Sequence, residues 1–344
     1  MRLDPVSALL ADEAGPALAQ APGAPVVVLD DPALARALSV EGHQVRAWCD
    51  DVRDEALLAG PGLDSLDSAA FAGVQVVLAR LPKSLGQLED YAQRVAAFAG
   101  PDVQFLAGGR EKHLNRGMNE VLAASFGEVR ASLGRQKSRV LHARQPLPGP
   151  LTWPKQARVG DLTVVSHAGS FAAGRLDGGT RLLLECLEDA VPQTAPDAGP
   201  SATAIDLGCG TGILATSLAR RGYQVVAVDV SRAACASTSD TASANGVSAT
   251  VLRSDGLPAQ DATQADMVVC NPPFHRGTTK DSTPGFGLLR SARPALAPGG
   301  TVWTVFNSHL PYLPFLRAEF GPTRIAARDR HYTVTLTEVA DPRR

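Results

Sequence analysis

The sequence predicts an α/β protein made of two tandem domains, each built on a largely parallel sheet. Three observations carry this. Short β-prone apolar runs alternate with helical stripes along the chain, as at Val26-Val27-Val28-Leu29 and Val225-Val226-Ala227-Val228. Such alternation with short loops builds parallel sheets. The run Pro146-Leu147-Pro148-Gly149-Pro150 reads as a linker and divides the chain into 1–150 and 151–344. The two halves also carry a faint repeat: Val77-Leu78-Ala79-Arg80-Leu81-Pro82 resembles Val268-Val269-Cys270-Asn271-Pro272-Pro273, and Ser125-Phe126-Gly127 resembles Glu319-Phe320-Gly321. Two copies of one fold would explain the repeat, and chance is the competing account.

Taken in order, residues 1–20 read as an Ala-rich helix and 25–30 as a buried strand. Asp31 can cap a helix that opens at Pro32. Strands follow at 43–48 and 74–79, then a helix at 84–98 with Leu85, Leu88, Tyr91, Val95 and Phe98 on one stripe. A strand at 103–107 ends at Gly108-Gly109. In the second domain, strands are expected at 162–165, 202–206, 223–229, 249–253, 266–270 and 301–306. Helices are expected at 179–187, 213–221, 232–245 and 287–296, with Gly246 closing the third. Residues 191–201 read as a surface loop and 324–339 as a terminal hairpin.

Composition bounds the function. The 344 residues are 44% apolar and 20% charged, as in a soluble globular protein of two ordinary domains. The formal net charge of −2 excludes a global basic field, so nucleic acid must be met by a local patch. One such patch is the segment 105–160, with ten Lys or Arg against three Glu. It is either a solvated basic face or a surface for an anionic polymer. Arg110, Lys112 and Lys137 are its candidate phosphate contacts. The five scattered cysteines contain no C-x-x-C. That argues against disulfides and a zinc site and for a reducing compartment, so no metal is expected. The start of the chain lacks a signal-like pattern and no apolar run approaches a membrane span. No membrane partner and a cytoplasmic location are the expectation.

Chemistry concentrates at four strand ends. Asp206-Leu207-Gly208-Cys209-Gly210-Thr211-Gly212 follows an apolar strand and opens a helix. Glycines there admit positive φ and a close backbone approach to a ligand. In an open parallel sheet this is the crevice where nucleotides bind. The spacing is not the dinucleotide G-x-G-x-x-G, and an acid precedes it. An aspartate repels a pyrophosphate but tolerates a cation, so S-adenosylmethionine, with its sulfonium and amino groups, suits the loop better than NAD. Asp229 ends the next strand, where it can accept hydrogen bonds from ribose hydroxyls. Asp255, before Gly256, ends the third and is either an acceptor for an adenine amino group or a turn cap. The fourth strand ends in Asn271-Pro272-Pro273-Phe274. Two prolines hold a rigid turn. The Asn amide and nearby carbonyls can grip an –NH2 group while the Phe ring stacks on a planar base. Alone the turn could be a plain strand end; the ordered set of four is the stronger signal.

With these motifs the chain resembles the class I S-adenosylmethionine-dependent methyltransferases. Within them it is most similar to the ribosomal RNA guanine-N2 methyltransferases of the small-subunit methyltransferase C and large-subunit methyltransferase G group. The likeness spans nearly the whole chain. Gly169-Ser170-Phe171 with Leu176-Asp177-Gly178-Gly179 matches the segment that borders the methionine end of the donor. Cys270 to His275 matches the N-P-P-F-H motif, and Asn307-Ser308-His309-Leu310-Pro311-Tyr312 a segment after the fifth strand. Arg80-Leu81-Pro82-Lys83 and Ala107-Gly108-Gly109-Arg110-Glu111-Lys112 look like the large-subunit branch. Gly178 and Ser254-Asp255 depart from the usual pattern.

The resemblance implies two Rossmann-like methyltransferase domains, the first degenerate and serving RNA recognition, the second catalytic. It implies methyl transfer from S-adenosylmethionine to the N2 amino group of a guanine in ribosomal RNA, naked or in a subunit, by a monomer. Donor-binding positions would be Phe171, Asp177, Asp206, Gly208, Cys209, Gly210, Gly212, Asp229, Val230, Asp255, Gly256 and Asn271. The unstacked guanine would present its amine to the Asn271 side-chain carbonyl and the Pro272 backbone carbonyl, with Pro273 fixing the turn and Phe274 stacking on the base. The same turn serves adenine-amino and protein-glutamine methylation. An RNA-binding module with a vestigial donor pocket is the non-enzymatic alternative.

Overall fold

In the computed structural model the described residues are 3–190, 202–261, 264–273 and 283–339, without the side chains of 172 and 173. The chain divides into two units, Met1–Trp153 and Pro154–Arg344. The division falls after Trp153, beyond the proline run. Trp153 belongs to the first unit because its indole Nε1 donates to Glu89 at 2.8 Å.

Six strands form the first unit's sheet: β1 (Val26–Leu29), β2 (Val45–Trp48), β3 (Val76–Arg80), β4 (Gln104–Arg110), β5 (Phe126–Ala131) and β6 (Ser138–Pro146). Their order is β2-β1-β3-β4-β6-β5. The first four are parallel, and β6 and β5 close the edge antiparallel. Strand β4 runs through Gly108 and Gly109 to Arg110 instead of stopping at Ala107. Its pairing with β6 extends to Ser138, and cross-strand bonding outweighs the weak strand preference of glycine.

The second unit opens with a separate hairpin, β7 (Lys155–Val159) on β8 (Leu162–Ser166). Strand β7 escaped sequence reading because Lys155-Gln156-Ala157-Arg158 has no apolar period. Seven strands follow: β9 (Thr203–Leu207), β10 (Gln224–Asp229), β11 (Thr250–Arg253), β12 (Ala265–Cys270), β13 (Leu296–Asn307), β14 (Thr323–Arg328) and β15 (Tyr332–Glu338). Their order is β11-β10-β9-β12-β13-β15-β14, parallel as far as β13. Strand β15 runs antiparallel between β13 and β14. The helix expected at 287–296 spans Thr283–Ala292, and β13 already starts at Leu296. Pro298-Gly299-Gly300 therefore lies inside the strand, where the register with β12 shifts. The loop expected at 191–201 lies outside the described residues.

With β11 set aside, the two sheets have the same order and the same directions. The repeat read from sequence is thus a repeat of topology, with Leu81-Pro82 after β3 standing where Asn271-Pro272 stands after β12. In place of a counterpart to β11, two one-turn helices, Val52–Glu55 and Ser68–Phe71, lie between β2 and β3. The end of β1 also differs from that of β9. No glycine loop follows it. Asp30, at φ 54°, accepts from the Asp50 N–H at 2.9 Å and from the Tyr91 hydroxyl at 2.5 Å. Burial pushes its carboxyl up to about 7. The Trp48 and Tyr91 rings meet edge to face at 5.6 Å beside it. Side chains occupy the edge that the second unit leaves to a loop. Both sheets are apolar on both faces, so each unit has a core on either side.

Candidate active site

Strands β11, β10, β9 and β12 are neighbours and parallel, so their carboxyl ends share one edge. Each end carries a residue the sequence singled out. After β9 the chain turns through Gly208, Gly210 and Gly212, at φ 74°, 56° and 76°. Gly212 is the strictest of them. A Cβ there would lie 2.7 Å from Thr238 Cα in the helix Arg232–Ala244. The same Thr238 donates its hydroxyl to the Gly210 carbonyl at 3.3 Å and lies 3.1 Å from Cys209 Sγ. Burial pushes the Cys209 thiol well up, so it stays a neutral packing group.

Asp206 is 1% exposed. Its Oδ2 accepts from the Ala215 N–H at 3.0 Å, which pins the start of the helix Ile213–Arg220 beneath the loop. Its Oδ1 has no partner among the described residues. Burial first, then the negative charge of Asp229, pushes its carboxyl up to about 7. Asp206 therefore acts through the loop it holds and does not line an open crevice. Asp229 accepts from the Gly210 N–H at 3.1 Å through Oδ2 and from the Ser231 N–H at 3.0 Å through Oδ1. Val230 follows, half-buried. The Asp229 carbonyl accepts from the Ser254 N–H at 2.9 Å, tying the end of β10 to the turn that bears exposed Asp255 and buried Gly256.

Asn271 is the best-defined group of the site. Its Nδ2 donates to Thr180 Oγ1 at 2.9 Å and lies 3.3 Å from Asp177 Oδ1 and 3.5 Å from Oδ2. An ionised carboxylate only accepts, so the –NH2 end of the amide must face Asp177. That leaves Oδ1 as the free acceptor. It is buried and has no partner among the described residues. Asp177 is itself fixed, because its Oδ1 accepts from the Gly179 and Thr180 N–H groups at 2.9 and 3.1 Å and caps the helix Gly178–Ala190. Gly178 has a packing reason: a Cβ there would sit 2.9 Å from the Tyr332 ring. Pro272 is buried and Pro273 exposed. Phe274 and His275 lie outside the described residues.

The structure brings these pieces together. An ideal Cβ on Gly208 falls 4.0 Å from the Asn271 carbonyl oxygen, and one on Gly210 falls 3.9 Å from Phe171 Cβ. Phe171 is 63% exposed, an unusual state for a large apolar ring. The edge thus has left-handed glycines for close approach, the three aspartates Asp177, Asp229 and Asp255, and an exposed ring. This donor set fits a cationic, partly aromatic ligand such as S-adenosylmethionine and does not fit a pyrophosphate. Sequence reading missed Thr180, Thr238 and Tyr332. For Thr180 a signal existed: Asp177 is a helix cap, and the third residue after a cap shares its end of the helix. Thr238 and Tyr332 come from elements whose local pattern holds no hint of the site.

Arg110, Lys112 and Lys137 lie in the first unit and are exposed. The segments that bear them adjoin: Arg110 Nη1 donates to the Gln136 carbonyl at 3.0 Å, and the Glu111 N–H to the Lys137 carbonyl at 3.0 Å. Among the described residues no His, Cys, Asp or Glu cluster could hold a metal ion, and no helix is long and apolar enough to cross a membrane.

Known proteins resemble the chain over both units. The methyltransferase small domain matches residues 161–336, and the RLMG N-terminal domain matches 19–146. The chain is 34% identical over 275 residues to ribosomal RNA large subunit methyltransferase G of Streptomyces avermitilis, covering 76% of this chain and 70% of that one. Against ribosomal RNA small subunit methyltransferase C of Chromohalobacter salexigens it is 40% identical over 192 residues, 56% of either chain. A solved T. thermophilus 16S rRNA N2 methyltransferase, in complex with AdoMet and guanosine, shares the fold with a TM-score of 0.79. That match has 24% identity and covers 98% of this chain and 92% of the other. Two domain matches in tandem and relatives aligned across most of their length lead to one conclusion: the chain belongs to the class I ribosomal RNA methyltransferase family of methyltransferases G and C.

Proposed function

We infer that the protein transfers a methyl group from S-adenosylmethionine to the exocyclic N2 amino group of a guanine in ribosomal RNA. The observation that carries this is the Asn271 amide, whose –NH2 end is committed to Asp177 and Thr180 and whose buried oxygen is left to accept. An acceptor held at the end of the fourth parallel strand, beside a glycine loop, is what an amino-group substrate requires. When bound, S-adenosylmethionine supplies a sulfonium methyl group as the electrophile. The chain's own residues position the amine. Asn271 Oδ1 accepts one amino hydrogen and the Pro272 carbonyl the other, which aims the nitrogen's remaining electron density away from the turn and into the crevice. Pro272 and Pro273 keep those acceptors from relaxing, and Phe274 stacks on the extruded base. Positioning of this kind removes much of a bimolecular barrier.

In the donor site, Gly208, Gly210 and Gly212 admit the ligand against the backbone. Phe171 and Asp177 border its methionine end, with Asp206 and Cys209 supporting the loop from below. Asp229 and Val230 face the ribose, and Asp255 and Gly256 the adenine. The first unit serves RNA recognition, with Arg110, Lys112 and Lys137 as phosphate contacts, and the protein acts as a cytoplasmic monomer.

The test is tritiated-methyl transfer onto deproteinised small-subunit RNA, large-subunit RNA and assembled subunits, with nucleoside analysis of the product. Label in N2-methylguanosine is expected. Label in an adenine, or in protein alone, would overturn the assignment, and calorimetry without S-adenosylmethionine binding would overturn the enzyme.

A further inference from the structure

The β14–β15 turn lies at the same sheet edge as Asn271. Strand β15 runs antiparallel to β13, with Tyr332 opposite Asn307, so the turn leading into β15 meets the carboxyl end of β13. It is short and well tied. Asp329 Oδ1 accepts from the His331 and Tyr332 N–H groups at 2.7 and 2.6 Å, and its own N–H donates to the Tyr332 carbonyl at 2.9 Å. The Ser308 N–H donates to the His331 carbonyl at 2.8 Å, which ties the turn to the segment after β13.

What this rigid turn displays is cationic. Arg328, Arg330 and His331 are exposed, and neither arginine is in an ion pair among the described residues. The one acid between them, Asp329, spends an oxygen on the turn's own N–H groups. Those bonds, and the nearby His331 and Arg181, hold its carboxyl below the usual range. Arg181, in the first turn of the helix Gly178–Ala190 and 4.0 Å from Glu185 of the same helix, adds a third guanidinium whose field reaches Asp329.

The turn is also coupled mechanically to the amine acceptor. Tyr332 packs its ring against Gly178 and Gly179, where added Cβ atoms would lie 2.9 and 3.2 Å away. The Gly179 N–H bonds Asp177, and Asp177 orients the Asn271 amide. A few directly packed groups thus join Arg330 and His331 to Asn271. Exposed, unpaired guanidinium groups on a rigid turn suit phosphate, since their forked donors match its oxygens and they are weakly hydrated.

We propose that this turn, residues 328–331 with Arg181 beside it, docks the phosphodiester backbone next to the target guanine on the catalytic unit. The proposal rests on the RNA-methyltransferase reading and adds to it a place where the strand is held. A base extruded toward Asn271 needs its flanking phosphates fixed close by, and this rim is a cationic group tied to that acceptor.

The test uses the full chain with Arg328→Gln/Arg330→Gln and, as a single-charge control on the same hairpin, Arg324→Gln. Arg324 pairs with Leu336, nearer the opposite end of β15. With deproteinised ribosomal RNA as substrate, the double variant is expected to raise KM on the order of tenfold. It should also lower the salt slope of RNA binding by about 0.7 to 0.9 per lost contact, with kcat and S-adenosylmethionine affinity unchanged. The control should behave as wild type. An unchanged KM and salt slope in the double variant would overturn the proposal, as would an equal loss in Arg324→Gln. A defect confined to assembled subunits would overturn it too, because it would point to a protein partner. Failure of the wild-type chain to methylate any guanine would instead overturn the function on which the proposal rests.

Discussion

Asn271 Nδ2 and Thr180 Oγ1 stand 2.9 Å apart, and with Asp177 beside them they decide which end of the Asn271 amide remains an acceptor. The geometry is a second layer behind the reacting group: a helix cap orients an amide, and the amide orients the amine.

Replacing Asn271 with Ala removes that acceptor without touching the glycine loop. Methyl transfer should fall on the order of 100-fold or more, the scale seen when one well-placed polar partner of a reacting centre is lost. S-adenosylmethionine affinity, read by calorimetry, should stay within a few-fold. Loss of donor binding would mean that Asn271 serves the donor and not the acceptor.

Thr180→Val keeps the shape and removes the hydroxyl. Thr180 is 8% exposed, so water does not readily replace it. The amide is then held by Asp177 alone, and kcat should drop about tenfold through misplacement, with KM little changed. Thr180→Ser restores the oxygen and should restore the rate. A serine variant as slow as the valine one would make the effect one of packing.

Gly212→Ala places a Cβ 2.7 Å from the Thr238 backbone at a φ of 76°. The left-handed conformation alone costs about 1 kcal/mol for an L residue, and the backbone overlap adds to it. Thermal denaturation should show a loss of roughly 2 kcal/mol or more, and donor binding should weaken with it. Gly246→Ala, also at positive φ but with open space around its Cβ position, should cost only the conformational part.

Asp206 makes stability depend on pH. Its folded carboxyl is pushed up to about 7 from an ordinary 3.8. The folded state therefore holds a proton that the unfolded chain has released. Stability from this group is full below about pH 4 and is lost as pH rises toward 7, by an amount on the order of a few kcal/mol. Asp206→Asn keeps an acceptor for the Ala215 N–H and cannot ionise. Its denaturant midpoint should fall less between pH 5 and pH 7.5 than that of wild type. Parallel curves would show that Asp206 is ionised throughout.

Much of the fold was legible in the chain because it is local. Strands such as Val26–Leu29 and Ala265–Cys270 are apolar runs, and Asp31 caps its helix as its position implies. Where local pattern and pairing disagreed, pairing won. Lys155–Val159 is a strand although it looks like none, and Gly299-Gly300 is carried within β13 as an irregularity between the residues paired with β12, Leu296 and Thr301.

The site divides in the same way. By itself the sequence determined the family, the glycine loop, the ordered acids and the Asn-Pro-Pro turn, since each is a short motif whose backbone demands can be read residue by residue. Tertiary structure alone decided what those residues touch. Asp206 lies under the loop, Asp177 caps a helix and aims the Asn271 amide, and Tyr332 reaches from the last strand to Gly178. The repeat shows the difference plainly. Leu81-Pro82 and Asn271-Pro272 follow equivalent strands, but only the second meets a partner from more than 90 positions away, Thr180 at a sequence distance of 91. The Asp177 cap marks Thr180 as sharing its helix end, but that this end meets Asn271 is chosen by how the elements pack.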